Sequence, residues 1–230
     1  GVLQDDCDKF AHEADAGNTL DDVEINAAGP FGTIASLIPP GRFLFDFVFW
    51  GMDHGAEHRV ECSVIIIAGA EAHNIGGCLA SVAWAAERIV VCSADDGTME
   101  IARAAGATVF FRAFDGYAAQ KQFALDQATQ DWVLSLDADE RATPELQAAI
   151  ELAMRDADAC DGYRIPRRNY FGTKWLRHGG WYPDLQLRFF RRTRTRLSQR
   201  LVHEKFEVEG TLGTLNAPID HHTLPRVAHL

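Results

Sequence analysis

Apolar residues in this chain of 230 fall into short runs of strand length separated by stretches of helical period. Ser63-Val64-Ile65-Ile66-Ile67-Ala68 is continuous and β-branched, as a strand buried on both faces would be. Ile75, Leu79 and Val82 share one face of a helix expected over 74–84. Arg88–Cys92 reads as a second strand. Asp95-Asp96-Gly97-Thr98 reads as a turn into a helix that Gly106 stops, in the place of a C-cap glycine. A third strand is expected over Thr108–Arg112, a helix over Tyr117–Ala128, and a fourth strand over Trp132–Leu136, ending at Asp137. Thr143 and Pro144 open another helix as N-cap and first helical residue. Strands alternating with helices in this way predict an α/β fold with a largely parallel sheet.

The pattern changes at both ends. After Asp161, the segments Gly162–Arg168, Gln186–Arg191 and Val202–Val208 read as strands without intervening helices. Between the first two lies Gly172–Asp184, a long loop rich in Gly, Trp and His, of a length that is usually functional or disordered. Before Cys62, acidic residues crowd a stretch with little apolar period. Phe43, Phe45, Phe47 and Phe49 then alternate as in a strand. That leader reads as an appended strand, a poorly ordered extension, or sequence foreign to the domain after it. The expected organisation is an unassigned extension over 1–60, a domain over 61–222 and a short tail over 223–230.

Composition adds two constraints. The net charge is −11, from 22 basic and 33 acidic residues, so no nucleic-acid partner is expected. The charge is uneven. Residues 1–62 carry twelve acids and three bases, whereas 161–210 carry five acids and twelve bases. The basic segment suits either an anionic substrate or membrane surface, or a solvated face. Five cysteines with no CxxC pair argue against a disulfide framework and a zinc ribbon, and fit a reducing cytoplasm. No apolar run reaches the length of a spanning helix, and the acidic first residues do not read as a secretory signal.

The strongest chemical feature is Ser135-Leu136-Asp137-Ala138-Asp139-Glu140. Two carboxylates stand two residues apart at the end of a buried strand, where open α/β sheets bind ligands. Hard divalent cations take one or two such carboxylates together with phosphate oxygens. Taken alone, the same pair also suits a merely solvated strand end.

The run SVIII…HNIGGCLASV…RIVVCSADDGTMEIARAAGATVF…AAQKQFALDQATQDWVLSLDADERATPEL resembles family 2 glycosyltransferases of the GT-A fold. The continuation DGYRIPRRNYFGTKWLRHGGWYPDLQLRFFRR…RLVHEKFEVEG is similar to bacterial lipopolysaccharide core transferases, including β-1,4-glucosyltransferases. The resemblance spans about Cys62 to His222. It implies a Rossmann-type nucleotide-diphospho-sugar transferase fold, with a mostly parallel central sheet flanked by helices and antiparallel strands on the acceptor side. It implies an inverting transfer of a hexose, glucose first, from a UDP-sugar to a lipopolysaccharide core or related cell-envelope glycan, assisted by Mn²⁺ or Mg²⁺. It also implies a cytoplasmic location with peripheral contact at the inner face of the membrane.

By the same resemblance, Asp137 and Asp139 flank the nucleotide, with Asp139 the direct metal ligand. Glu71 and Asp95 belong to the nucleotide side. Lys121 either meets a phosphate or the base, or is an exposed helix lysine. Asp184, in Gly-Gly-Trp-Tyr-Pro-Asp, is the first candidate for the base that an inverting transfer needs, and Glu204 the second. The alternative for Asp184 is a loop acid paired to Arg188 on the next strand. Arg188 and the arginines after it either contact diphosphate or phosphorylated sugars or guard an edge strand. His203, His221 and His222 either complete a metal site or pack and cap.

Three departures from the family pattern stand out. Ala68-Gly69-Ala70-Glu71 replaces a Thr-Lys-Asn-Glu-like segment, so that only Glu71 matches. Cys92 stands where an Asp that holds uracil or ribose is expected, and a thiol cannot accept hydrogen bonds as a carboxylate does. The chain also stops soon after His222, where relatives continue into helices. A non-catalytic or fragmentary member that only binds sugar nucleotide or glycan is therefore the alternative. A phosphoryl-transfer enzyme using the Asp pair fits less well, because the pair comes after the fourth strand and Arg141 stands where Thr or Val would be. An oxidoreductase is disfavoured because no GxGxxG comes after the first strand.

Overall fold

The computed structural model describes residues 59–198 and 205–224. In chain order the elements are β1 (Val60–Ala68), α1 (Ile75–Ser81), β2 (Ala85–Cys92), α2 (Thr98–Ala104), β3 (Thr108–Phe111), α3 (Tyr117–Gln127), β4 (Trp132–Asp137), β5 (Glu140–Ala142), α4 (Pro144–Arg155), β6 (Gly162–Phe171), β7 (Lys174–Trp175), β8 (Asp184–Arg191), a 3₁₀ turn (Arg192–Arg194), β9 (Thr195–Leu197), β10 (Phe206–Val208), β11 (Leu212–Thr214) and β12 (Ile219–Leu224). The expected strand over Phe43–Phe49, and residues Val202–Glu204 of the last expected strand, lie outside the described residues.

One sheet carries the order β3-β2-β1-β4-β8-β6-β12-β5. Its first four strands are parallel. Strand β8 then inserts antiparallel between β4 and β6, and β12 runs parallel to β6 and antiparallel to β5. Both faces of β1 are covered, which explains its unbroken apolar run. Val64 and Ile66 pack with Ile75, Leu79, Leu146 and Ile150. Ile65 points the other way and packs with Ala124, Leu125 and Phe190. Beyond β4, Trp132 stacks on Phe189 with ring centroids 4.7 Å apart, binding the parallel half to the antiparallel half.

Several boundaries differ from those expected. Helix α1 ends at Ser81 rather than near Trp84, because the Trp84 indole donates to the Ser81 carbonyl and the chain turns at once into β2. The segment after Phe171 is not all loop. Lys174 and Trp175 pair back onto β6 around Gly172, whose φ of 60° suits the tight reversal. Asp184 begins β8 rather than ending a loop. Strand β8 is interior, so Arg188 does not guard an edge. The expected helix start holds at Pro144, where Thr143 Oγ1 accepts from Leu146 N at 3.2 Å. Among the described residues no helix is long and apolar enough to cross a membrane.

Candidate active site

Strands β1, β2 and β4 end level with one another: Ala68 pairs with Cys92, and Ile67 with Asp137. The chain leaves β4 through Asp137-Ala138-Asp139-Glu140 and turns directly into β5. Arg141 fixes this turn by donating to the carbonyls of Ala138, Glu140 and Asn74. Its guanidinium lies over Gly77, where a Cβ would come within 2.7 Å of Arg141 Nε, so glycine makes room for the clamp.

A row of alternating charges crosses the sheet from here. Asp137 Oδ1 lies 3.0 Å from Lys121 Nζ, and Oδ2 accepts from Arg188 Nη2 at 2.5 Å. The same Arg188 nitrogen donates to Glu140 Oε1 at 2.6 Å. Arg167 Nη1 reaches that oxygen at 3.3 Å, while its Nε and Nη2 lie 2.9 and 2.7 Å from Asp184 Oδ2. Gln186 Nε2 donates to Asp184 Oδ1 at 2.6 Å. The second Glu140 oxygen accepts from Asp137 N at 2.9 Å, so both its oxygens are engaged and its side chain is fully buried.

This arrangement sets the charge states. Burial pushes the Asp137 carboxyl up, but Arg188 and Lys121 outweigh it and hold the group well below the usual carboxylate range. Burial acts in the same sense on Asp184, and there the Arg167 and Gln186 bonds prevail, again lowering it. Arg188, although buried, is pushed above its ordinary value, because the Glu140 and Asp137 carboxylates overcome the desolvation of its cation.

Asp184 therefore pairs with Arg167 rather than Arg188. Asp184 and Arg188 are four residues apart on one strand, about 13 Å at strand rise, whereas Arg167 sits directly across from Asp184 in the β6–β8 register. Asp139 belongs to a second, shorter chain of bonds. Its Oδ2 lies 3.1 Å from His221 Nε2, His221 Nδ1 lies 2.7 Å from Asn169 Oδ1, and Asn169 Nδ2 donates to the Trp181 carbonyl. His222 instead stacks on Tyr170.

Beside these carboxylates lies a cleft of about 320 Å³, lined by Ile67, Ala68, Gly69, Glu71, Val91, Ser93, Phe114, Tyr117, Gln120 and Asp137 to Asp139. Glu71 takes part and is held by Asn74 Nδ2 at 2.9 Å. Asp95 is exposed and absent from the lining. Its neighbour Asp96 instead ties the two loops together, accepting from Ala72 N, Thr98 N and Thr98 Oγ1. Cys92 is fully buried, and burial pushes its thiol up to about 11. Glu204 and His203 lie outside the described residues.

The structure thus brings Glu71, Lys121, Asp137, Asp139, Arg188 and Asp184 to the C-terminal side of the strands, and leaves Asp95 apart. Sequence reasoning passed over Glu140 and Arg167. Glu140 stands close enough to the Asp pair to be noticed, but only a short strand turning back into the sheet buries it.

Among the described residues no three His, Cys, Asp or Glu side chains converge to hold a metal on protein ligands alone. Asp139, with His221 Nε2 3.1 Å from its Oδ2, could hold a divalent ion only together with ligands from outside the protein, such as phosphate oxygens.

The glycosyl transferase family 2 model matches residues 63–212. A lipopolysaccharide core biosynthesis glycosyltransferase, LpsC of Rhizobium meliloti, is 34% identical over 168 residues, covering 67% of this chain and 60% of the relative. An uncharacterized glycosyltransferase of Rickettsia felis is 36% identical over 107 residues, covering 45% of this chain and 38% of the relative. The chain therefore spans less than two thirds of the length of either relative. The crystal structure of S. aureus TarS 1-349 aligns with a TM-score of 0.53 at 15% identity, over 71% of this chain and 60% of that one. That likeness is one of fold, the GT-A-like arrangement of a mostly parallel sheet with helices.

Proposed function

The chain belongs to glycosyl transferase family 2, and from that membership we propose that it transfers a hexose, glucose first, from a UDP-sugar to a lipopolysaccharide core or related envelope glycan, with inversion. The observation that carries this reading is the charge row that joins the donor-side carboxylate Asp137 to Asp184 through Arg188, Glu140 and Arg167. The likeness to LpsC supports the acceptor class, and the basic segment over 161–210 suits a phosphorylated acceptor on an anionic surface.

Asp184 takes the proton of the acceptor hydroxyl as its oxygen bonds to the anomeric carbon. The bond from that carbon to the diphosphate breaks, and the diphosphate leaves with the electron pair. Lys121, beside Asp137, meets the negative charge that develops there. The site itself is anionic on balance: Glu71, Asp137, Asp139, Glu140 and Asp184 outnumber Lys121, Arg141, Arg167 and Arg188. A diphosphate adds to that excess, so a divalent cation fits. Asp139 would hold Mn²⁺ or Mg²⁺ with His221 beside it, and when bound the ion supplies Lewis-acid stabilisation of the leaving group.

Calorimetric titration with UDP and UDP-glucose, with and without Mn²⁺, followed by transfer to lipopolysaccharide core, tests the reading. Metal-dependent binding is expected in the natural chain and lost in Asp139→Ala. Undiminished metal-dependent binding by Asp139→Ala would reject that ligand assignment.

The depressed Asp184 carboxyl has a consequence for pH. A base must be ionised, so kcat/KM falls only as pH drops below the ordinary Asp value of about 3.9. Arg167→Met removes the cation and leaves the burial, so the acid limb is expected to move up by about 1–3 units. A limb that stays in place would show that Asp184 does not titrate in the rate.

A further inference from the structure

Strand β8 runs antiparallel to both β4 and β6, so β6 runs with β4 and ends on the side of the sheet where Asp137 and Asp184 lie. It continues four residues past Arg167, the partner of Asp184, and so reaches about 13 Å beyond that pair at strand rise. The turn at Gly172 then sets Lys174 directly across from Phe171, and both are exposed at this tip, Phe171 by 47%. The loop over 176–183 is tied to the same strand. Leu176 N donates to the Asn169 carbonyl at 2.9 Å, and Asn169 Nδ2 donates to the Trp181 carbonyl at 3.1 Å, while the Trp181 side chain stays outside and the residue is 53% exposed. The guanidinium of the exposed Arg177 lies 4.4 Å from the centroid of the Trp175 ring. Among the described residues neither Lys174 nor Arg177 has an acidic partner. The reason is in the sequence: residues 162–183 hold five bases and no acid, in a chain whose net charge is −11.

We infer that the β6–β7 tip and the loop beside it form, through Phe171, Lys174, Arg177 and Trp181, a docking surface for an anionic phospholipid bilayer. Two large aromatic side chains left in water beside two unpaired cations have the composition of an interfacial anchor. The rings enter the boundary between headgroups and acyl chains, and the cations meet lipid phosphates. Because the tip projects past Arg167 and Asp184, a glycan rooted in that bilayer is presented toward Asp184. The inference goes beyond the transfer reading, and docking is measured without donor or acceptor.

Sedimentation of the full chain with vesicles tests it. Binding is expected to vesicles of equal parts phosphatidylglycerol and phosphatidylcholine, to weaken as salt rises, and to be absent with phosphatidylcholine alone. Lys174→Ala and Arg177→Ala are each expected to weaken it about fivefold, and Phe171→Ser about tenfold. All three side chains are exposed, so the core stays intact. Brominated phosphatidylcholine in the anionic vesicles is expected to quench tryptophan fluorescence in the natural chain, and much less in Trp181→Phe. Equal binding to both vesicle types, no binding to the anionic ones, or binding that survives all three substitutions overturns the surface. Variants that bind vesicles as before but lose transfer to a deacylated core oligosaccharide would make the tip a glycan site and overturn it too. Vesicle binding through this tip in a chain that titrates no UDP supports the surface and counts against the transfer reading alone.

Discussion

Asp184→Asn is expected to lower kcat by about 10²–10⁴-fold, the usual contribution of a positioned general base, while UDP binding in the presence of metal stays within about twofold. The substitution is nearly isosteric and keeps a carbonyl oxygen facing Arg167, so the strand pairing at Arg167 and Asp184 survives. It removes the carboxylate proposed above to accept the hydroxyl proton. Single-turnover transfer and calorimetry on the same sample separate the two effects. Transfer at the natural rate would remove Asp184 from the role and pass it to Glu204. A parallel loss of UDP binding would instead mean that the charge row had collapsed as a whole.

The second large effect is on stability. Arg188→Met is expected to cost about 3–5 kcal/mol, read as a lower urea midpoint at unchanged slope, because it strands Glu140 as a buried carboxylate beside Asp137. Arg167, the remaining cation on Glu140, is also committed to Asp184. Adding Glu140→Leu to Arg188→Met should recover part of the loss, since a buried ion pair can be replaced by apolar groups at little cost. If the single variant is as stable as the natural chain, Glu140 is not held by Arg188.

The lowered Asp137 makes this stability depend on pH. Its contribution is fully present above the unfolded value of about 3.9 and is lost as pH falls through the lower folded value. In Arg188→Met the folded value rises toward the unfolded one, so this pH-dependent contribution should shrink.

The parallel half of the molecule was legible because its signals are local. The β-branched run in β1, the Thr143-Pro144 helix start and the Asp pair ending β4 each depend on neighbours a few residues away. The antiparallel half was legible as strands but not as partners. That Arg167 faces Asp184 depends on a register shift between Tyr163 and Arg164, which no periodicity announces. The burial of Glu140 likewise depends on β5 pairing with β12, whose residues come about eighty positions later.

The row from Lys121 to Asp184 also constrains how this scaffold can be recombined. Its acids Asp137 and Glu140 come from the chain before Asp161, and the arginines that neutralise them come from β6 and β8. A chimera joined near Asp161 would inherit the carboxylates from one parent and their counterions from the other. Such a graft is compatible only with partners that keep arginine at the positions of 167 and 188.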